Sequence, residues 1–240
     1  MERKIGASRC SASAKASSPQ GHHSTGLSLC CKRYGLVASA KRFTMLSLRS
    51  SDSCITLTIR DASGTPGDLA ITVIASSALW LHGLAERPPD RHEIAVPVNT
   101  VVPESLKRRM RVVHFSARLT TAALEQLPVH QPATILAHLA TKPGDVRDWT
   151  TFAEALPDLA ERSPINDLDK ELHQRPTTVR PRLAYLLSGV APKTADLLQP
   201  TKPNNVTWFG RSRVTRRFDK RFNVADGLLP FDPRELTEAT

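Results

Sequence analysis

Two runs of cations hold the residues best suited to chemistry in this 240-residue chain. The first is Arg211-Ser-Arg-Val-Thr-Arg-Arg-Phe-Asp-Lys-Arg221, with six cations (Arg211, Arg213, Arg216, Arg217, Lys220 and Arg221) and one acid, Asp219. The second is Lys107-Arg-Arg-Met-Arg111, which contributes Lys107, Arg108, Arg109 and Arg111. A guanidinium presents a fork of donors that matches phosphate oxygens two at a time, and a clustered positive field attracts the nucleic acid backbone. Trp208 just before the first run and Phe218 within it offer flat faces beside the charge. These ten cations are the candidate nucleic-acid-binding residues. The competing structural reading is a solvated surface whose charge is balanced by acids elsewhere in the fold.

Other chemistries lack their residues. The chain carries no Gly-rich phosphate loop, no HExxH and no nucleophile elbow, so no catalytic residue is assigned. Asp167, Asp169, Glu171 and His173 crowd one stretch, but on a helix His173 lies far around the axis from Asp167 and Glu171. No metal or cofactor is expected there. The four cysteines, Cys10, Cys30, Cys31 and Cys54, lack both zinc spacing and a disulfide framework, which fits a reducing, cytoplasmic setting. No apolar run is long enough for a membrane span.

The net charge of +10 is concentrated at one end. Residues 1–60 hold ten Lys or Arg against Glu2 and Asp52, leaving 23 cations and 21 acids for the rest. Residues 1–65 are rich in Ser and Arg and bury too little apolar surface to offset chain entropy, so this segment is expected to be mostly disordered or atypical. Its composition also fits an organellar transit peptide.

The elements that must position the cations begin at Ser76-Ser-Ala-Leu-Trp-Leu-His-Gly-Leu84. Ser76 or Ser77 is expected to cap a short helix and Gly83 to close it. Trp80 and Leu84 are expected in the core, and His82 to be a hydrogen-bonded structural residue. Residues 92–98 read as a strand with Ile94, Val96 and Val98 on one face, and Pro97 marks an edge or an end. Residues 110–115 read as a second strand, antiparallel to the first, which places Lys107–Arg111 near a hairpin tip. Residues 120–127 read as a helical turn. Helices follow over 132–139, opened by Pro132; over 149–162, capped near Asp148 and broken early by Pro157; over 165–174; and over 179–190, where Val179, Leu183, Leu186, Leu187 and Val190 form a stripe. Residues 206–209 read as a short strand, and the tail from Asp232 as loose. The fold class is α+β: a small mixed or antiparallel sheet packed with several helices, preceded by a largely disordered N-terminal segment. The expected division is 1–65, a domain over 66–232, and a tail over 233–240.

From about residue 71 to 232 the order of motifs resembles the AbiEi family of bacterial antitoxins, particularly its actinobacterial members. The likeness rests on Ser77-Ala-Leu-Trp-Leu-His-Gly-Leu84, the Pro88-Pro89 loop, Ile94-Ala-Val-Pro97, Arg111-Val-Val-His114 and Gln131-Pro-Ala-Thr-Ile-Leu136. It continues through Pro143-Gly-Asp-Val-Arg-Asp-Trp149, Val179-Arg-Pro-Arg-Leu-Ala-Tyr-Leu-Leu187 and Val206-Thr-Trp-Phe-Gly210. The resemblance implies a non-enzymatic regulator with two partners, operator DNA and a cognate AbiEii-type nucleotidyltransferase toxin. It also implies an N-terminal winged helix-turn-helix before the antitoxin domain. Residues 1–65 lack that periodicity, so DNA contact is expected to rest on the later basic clusters, with impaired operator specificity. The alternatives are a basic RNA-binding or organellar protein and a nuclease-related DNA-binding protein.

Overall fold

A computed structural model describes residues 48–50, 53–55, 71–98, 100–102, 104–124, 127–210 and 215–236. Strands β1 (Leu48–Ser50) and β2 (Ser53–Ile55) pair antiparallel. The expected disorder and transit-peptide character of residues 1–65 lie otherwise outside the described residues.

The main sheet has five strands in the order β5-β4-β3-β7-β6. These are β3 (Thr72–Val73), β4 (Glu93–Val96), β5 (Arg111–His114), β6 (Ala122–Leu124) and β7 (Leu127–Val129). β4 and β5 run parallel, not as the antiparallel hairpin expected. A parallel pair needs a crossover, and helix α2 (Glu104–Arg109) supplies it. Lys107, Arg108 and Arg109 therefore sit in the last turn of a helix and Arg111 opens a strand; none is at a hairpin tip. The expected helical turn at 120–127 is instead the antiparallel pair β6–β7. Its register sets Leu124 opposite Leu127, so sheet pairing overrides a local pattern too short to fix a period.

Alternation along β4 and β5 divides two apolar layers. Ile94, Val96 and Val112 join Ile71, Val102, Met110 and Leu106 in a small cluster on the α2 side. Ala95, Val113 and Phe115 join the main core. Val98 lies past the strand end and is exposed.

Helix α1 (Ala75–Leu81) is bracketed by left-handed residues, Ala75 at φ 54° and Gly83 at φ 70°. Gly83 closes it as expected: its N–H donates to the Trp80 carbonyl and Leu84 N–H donates to Leu79, the double bond of a Schellman turn. The start differs. No serine caps it; the Glu93 carboxylate reaches from β4 and accepts from Ser76 N–H at 2.9 Å. Ser77 faces the same strand, where its hydroxyl accepts from Glu93 N–H. Leu79 is buried, whereas Trp80 and Leu84 are only partly so, at the core margin.

Helix α3 (Pro132–Thr141) opens with Pro132 and is buried on all sides from Ala133 to Ala140. Helix α4 (Trp149–Glu161) is capped by Asp148, which accepts from Thr150 and Thr151 N–H. It runs through Pro157 and does not break there. Leu156, Leu159 and Ala160 are buried on either side of the proline, and that burial outweighs one missing hydrogen bond. Helices α5 (Ile165–Leu172), α6 (Val179–Leu186) and α7 (Pro192–Leu198) follow. Helix α6 stops at Leu186, short of the 190 expected, and Pro192 occupies the first position of α7.

A second sheet, in the order β8-β10-β9, comprises β8 (Thr207–Phe209), β9 (Arg217–Asp219) and β10 (Val224–Asp226). β10 pairs parallel with β8 and antiparallel with β9. Phe209 of β8, Val224 of β10 and Phe222 of the turn between β9 and β10 share the main core with Phe152, Leu156, Leu183 and Tyr185. The chain from Asp232 is ordered to Leu236, with a 3-10 turn at Pro233–Glu235 and Pro233 buried. The fold is α+β, with seven helices and two mixed sheets among the described residues.

Candidate nucleic-acid interface

The ten cations separate into those engaged inside the protein and those facing outward. Arg111 is engaged. Its Nη1 donates to Glu93 Oε1 at 2.7 Å and its Nη2 to the Asp145 carbonyl. Glu93 is nearly buried and holds the start of α1 with its other oxygen, so Arg111 neutralises a carboxylate that organises three elements. Arg217 is engaged likewise, donating to Asp226 Oδ2 at 3.2 Å and to the Leu229 carbonyl at 3.0 Å. Asp226 is fully buried, and its Oδ1 accepts from Leu228 and Leu229 N–H. Burial, and then the Asp226 charge, push the Tyr185 hydroxyl well above the usual phenol range, so it stays protonated and donates to Asp226.

Lys107, Arg108 and Arg109 are exposed on α2. Lys107 pairs with Glu104 at 3.3 Å in water, which contributes little. Cations in a last helical turn also suit the negative end of the helix dipole. Arg216, Lys220 and Arg221 are exposed around β9, and Arg221 pairs with Asp196. Arg211 and Arg213 lie outside the described residues. The two basic groups belong to different sheets: one follows the β4–β5 crossover, the other frames β9.

Alternation sorts the second sheet by face. Thr207, Phe209, Asp219, Val224 and Asp226 are buried. Phe209 packs at a tilt against Trp149 and edge-to-face with Tyr185, at ring separations of 5.7 and 6.1 Å. Trp208 and Phe218 point the other way. Arg182 fixes the strand from α6, its Nε donating to the Trp208 carbonyl at 2.7 Å. Asp219 Oδ1 accepts from Phe222 N–H at 2.8 Å, a turn-closing role rather than that of a catalytic acid.

The acidic stretch on α5 is dispersed. Asp167 pairs with Lys170, Asp169 with Arg180, and Glu171 turns fully inward while His173 is exposed. Glu171 Oε1 accepts from Arg118 N–H, Leu119 N–H and the Thr134 hydroxyl, and Oε2 from Arg175 at 2.6 Å. Burial pushes this carboxyl up; the hydrogen bonds outweigh it and hold it below the usual range. No three His, Cys, Asp or Glu side chains converge among the described residues.

His82 is structural, as expected: its Nε2 lies 2.8 Å from the His130 carbonyl, and its own carbonyl accepts from Arg162. Sequence reasoning missed Glu93, Tyr185 and Asp226. Glu93 and Asp226 are the lone polar residues of their strands, and Glu93–Ser76, Glu93–Arg111 and Asp226–Tyr185 join residues 17, 18 and 41 positions apart.

Residues 71–189 match the family described as the AbiEi antitoxin C-terminal domain. The crystal structure of the RV2827C protein from Mycobacterium tuberculosis has a similar fold, with a TM-score of 0.60 and 22% identity over 72% of this chain and 73% of that one. No curated protein matches in sequence.

Proposed function

With residues 71–189 belonging to the AbiEi antitoxin C-terminal domain family, we propose that this protein neutralises a cognate AbiEii-type nucleotidyltransferase toxin and binds operator DNA. An antitoxin domain of this kind is regulatory, not enzymatic, and implies a toxin partner. The family match carries the antitoxin part of the reading. The buried ion pairs that hold Arg111 and Arg217 support a non-catalytic role, since their acids stabilise the fold.

For duplex DNA the reading favours α2. Lys107, Arg108 and Arg109 are adjacent, exposed and carried on a helix, the arrangement that positions a protein on a phosphate backbone. Binding of this type is strongly salt-dependent and weak in sequence preference. Regulation is therefore expected to depend on the cations more than on base readout. No helix among the described residues is long and apolar enough to cross a membrane. A partner of operator DNA and of a toxin works where both are found, so the reading assigns the protein to the cytoplasm.

Co-expression with an AbiEii-type nucleotidyltransferase toxin tests the antitoxin reading. Growth should be restored when both are induced; continued arrest with both proteins accumulating rules it out. An operator mobility-shift assay tests DNA binding. Replacing Lys107, Arg108 and Arg109 by Ala should flatten the dependence of log affinity on log salt, by about 0.9 for each phosphate no longer neutralised.

A further inference from the structure

We propose that the outer face of the β8–β10–β9 sheet is a stacking platform for a short unpaired stretch of RNA. The register sets Trp208 and Phe218 on either side of Ala225. Residues directly opposite in a sheet share a face, so the two rings flank one methyl. Trp208 is 37% exposed and Phe218 41%, while Ala225 is 2% exposed in the trough between them. With strands about 4.8 Å apart, the rings stand roughly 10 Å from one another, so each takes its own base. Val206, two residues before Trp208, extends the apolar strip and is also exposed.

Charge identifies the occupant. Arg216 and Lys220 lie two residues to either side of Phe218 and are exposed. The acids of the same strands, Asp219 and Asp226, are buried on the opposite face. Cations outside and acids inside give the face a positive rim around two flat rings. A neutral protein surface would leave that rim unmatched. Duplex DNA would match the rim but keeps its bases stacked internally, with no face for the rings. An unpaired strand supplies both parts: bases for the rings and phosphates for the cations. In a cell whose DNA is duplex, the abundant unpaired strands are RNA. The sheet lies beyond residue 189, outside the span that matches the antitoxin family, and the proposal does not rest on toxin neutralisation.

The test is fluorescence anisotropy of the full chain with a labelled twelve-nucleotide RNA of mixed sequence, the same DNA strand, and the DNA duplex. RNA should bind, with Phe218→Leu and Trp208→Ala each weakening it about tenfold and Trp208→Phe retaining most affinity. Phe218→Leu keeps an apolar side chain and removes the ring, so it separates stacking from folding; thermal melts of all variants should coincide. Replacing Arg216 or Lys220 by Ala should lower the salt slope by about 0.7 each. A DNA strand that binds as well as RNA fits a stacking face, since every base has one. RNA affinity unchanged in Phe218→Leu and Trp208→Ala overturns the proposal, as does no RNA binding at all. Displacement by poly-glutamate as efficient as by unlabelled RNA overturns it too, by showing attraction to charge alone. A DNA strand preferred tenfold over RNA overturns the assignment to RNA.

Discussion

Glu171 gathers four hydrogen bonds on one buried carboxylate. One fully buried carboxylate joins the loop at Arg118–Leu119, helix α3 through Thr134, and Arg175, whose guanidinium also lies 4.5 Å over the Phe115 ring. Removing it leaves Arg175 and two N–H groups without their acceptor. Glu171→Ala is expected to cost about 3–5 kcal/mol in chemical denaturation. Beside it are two buried histidines. Burial holds His130 at about 4 despite the attraction of Glu171, and holds His138 at about 3 with help from His130, Lys142, Arg111 and Arg175. Both His138 ring nitrogens lack a hydrogen-bond partner among the described residues. The folded protein keeps these rings neutral, whereas the unfolded chain protonates them near pH 6.5. Protons therefore favour unfolding as pH falls below about 6.5, and stability is lost down toward the folded values. Glu171 adds to the loss in stronger acid, as pH falls through its depressed value. Melting temperature should fall between pH 7 and pH 4, and fall less steeply in His138→Leu. Equal slopes in the two proteins would exclude His138 as a source.

At the scale of elements, several boundaries are set by partners distant in sequence. The start of α1 is held by Glu93 across 17 residues, so Glu93→Gln should weaken both that start and the β5 attachment through Arg111. Its end is local. Gly83 at φ 70° meets nothing that a Cβ would strike, so Gly83→Ala isolates backbone strain and should cost about 1–2 kcal/mol. Gly189 is the reverse case. A Cβ there would run into the carbonyl oxygens of Pro233 and Leu236. Gly189→Ala should cost about 1–3 kcal/mol and release the C-terminal turn, seen as faster amide exchange over residues 232–236.

At the scale of the molecule, the family match and the folding unit have different ends. The matched span stops at residue 189, but Phe209, Phe222, Val224 and Leu229 belong to the same core as Leu156 and Leu183. A fragment of residues 71–189 would expose the surfaces of Trp149 and Tyr185 that Phe209 covers. It is expected to bind a hydrophobic dye and melt without a cooperative transition, whereas residues 71–236 should melt in one step. Cooperative melting of the shorter fragment would show that the second sheet is dispensable.

The sequence by itself determined the local, periodic and compositional features. These are the α+β class, the Gly83 stop, Pro132 at its helix start, the stripe of Val179, Leu183 and Leu186, and the family likeness. Each depends on residues within a few positions of one another, where spacing alone decides the outcome. The tertiary structure decided what depends on partners far along the chain. It made β4 and β5 parallel through α2, paired residues 122–124 with 127–129 as strands and carried α4 past Pro157. It also divided the cations: Arg111 and Arg217 face buried carboxylates from other strands, while Arg108, Arg109, Arg216 and Lys220 face water. A run of like charges reads the same in sequence whether its members point in or out. The register of the sheet and the position of each acid decide which of them can meet a phosphate.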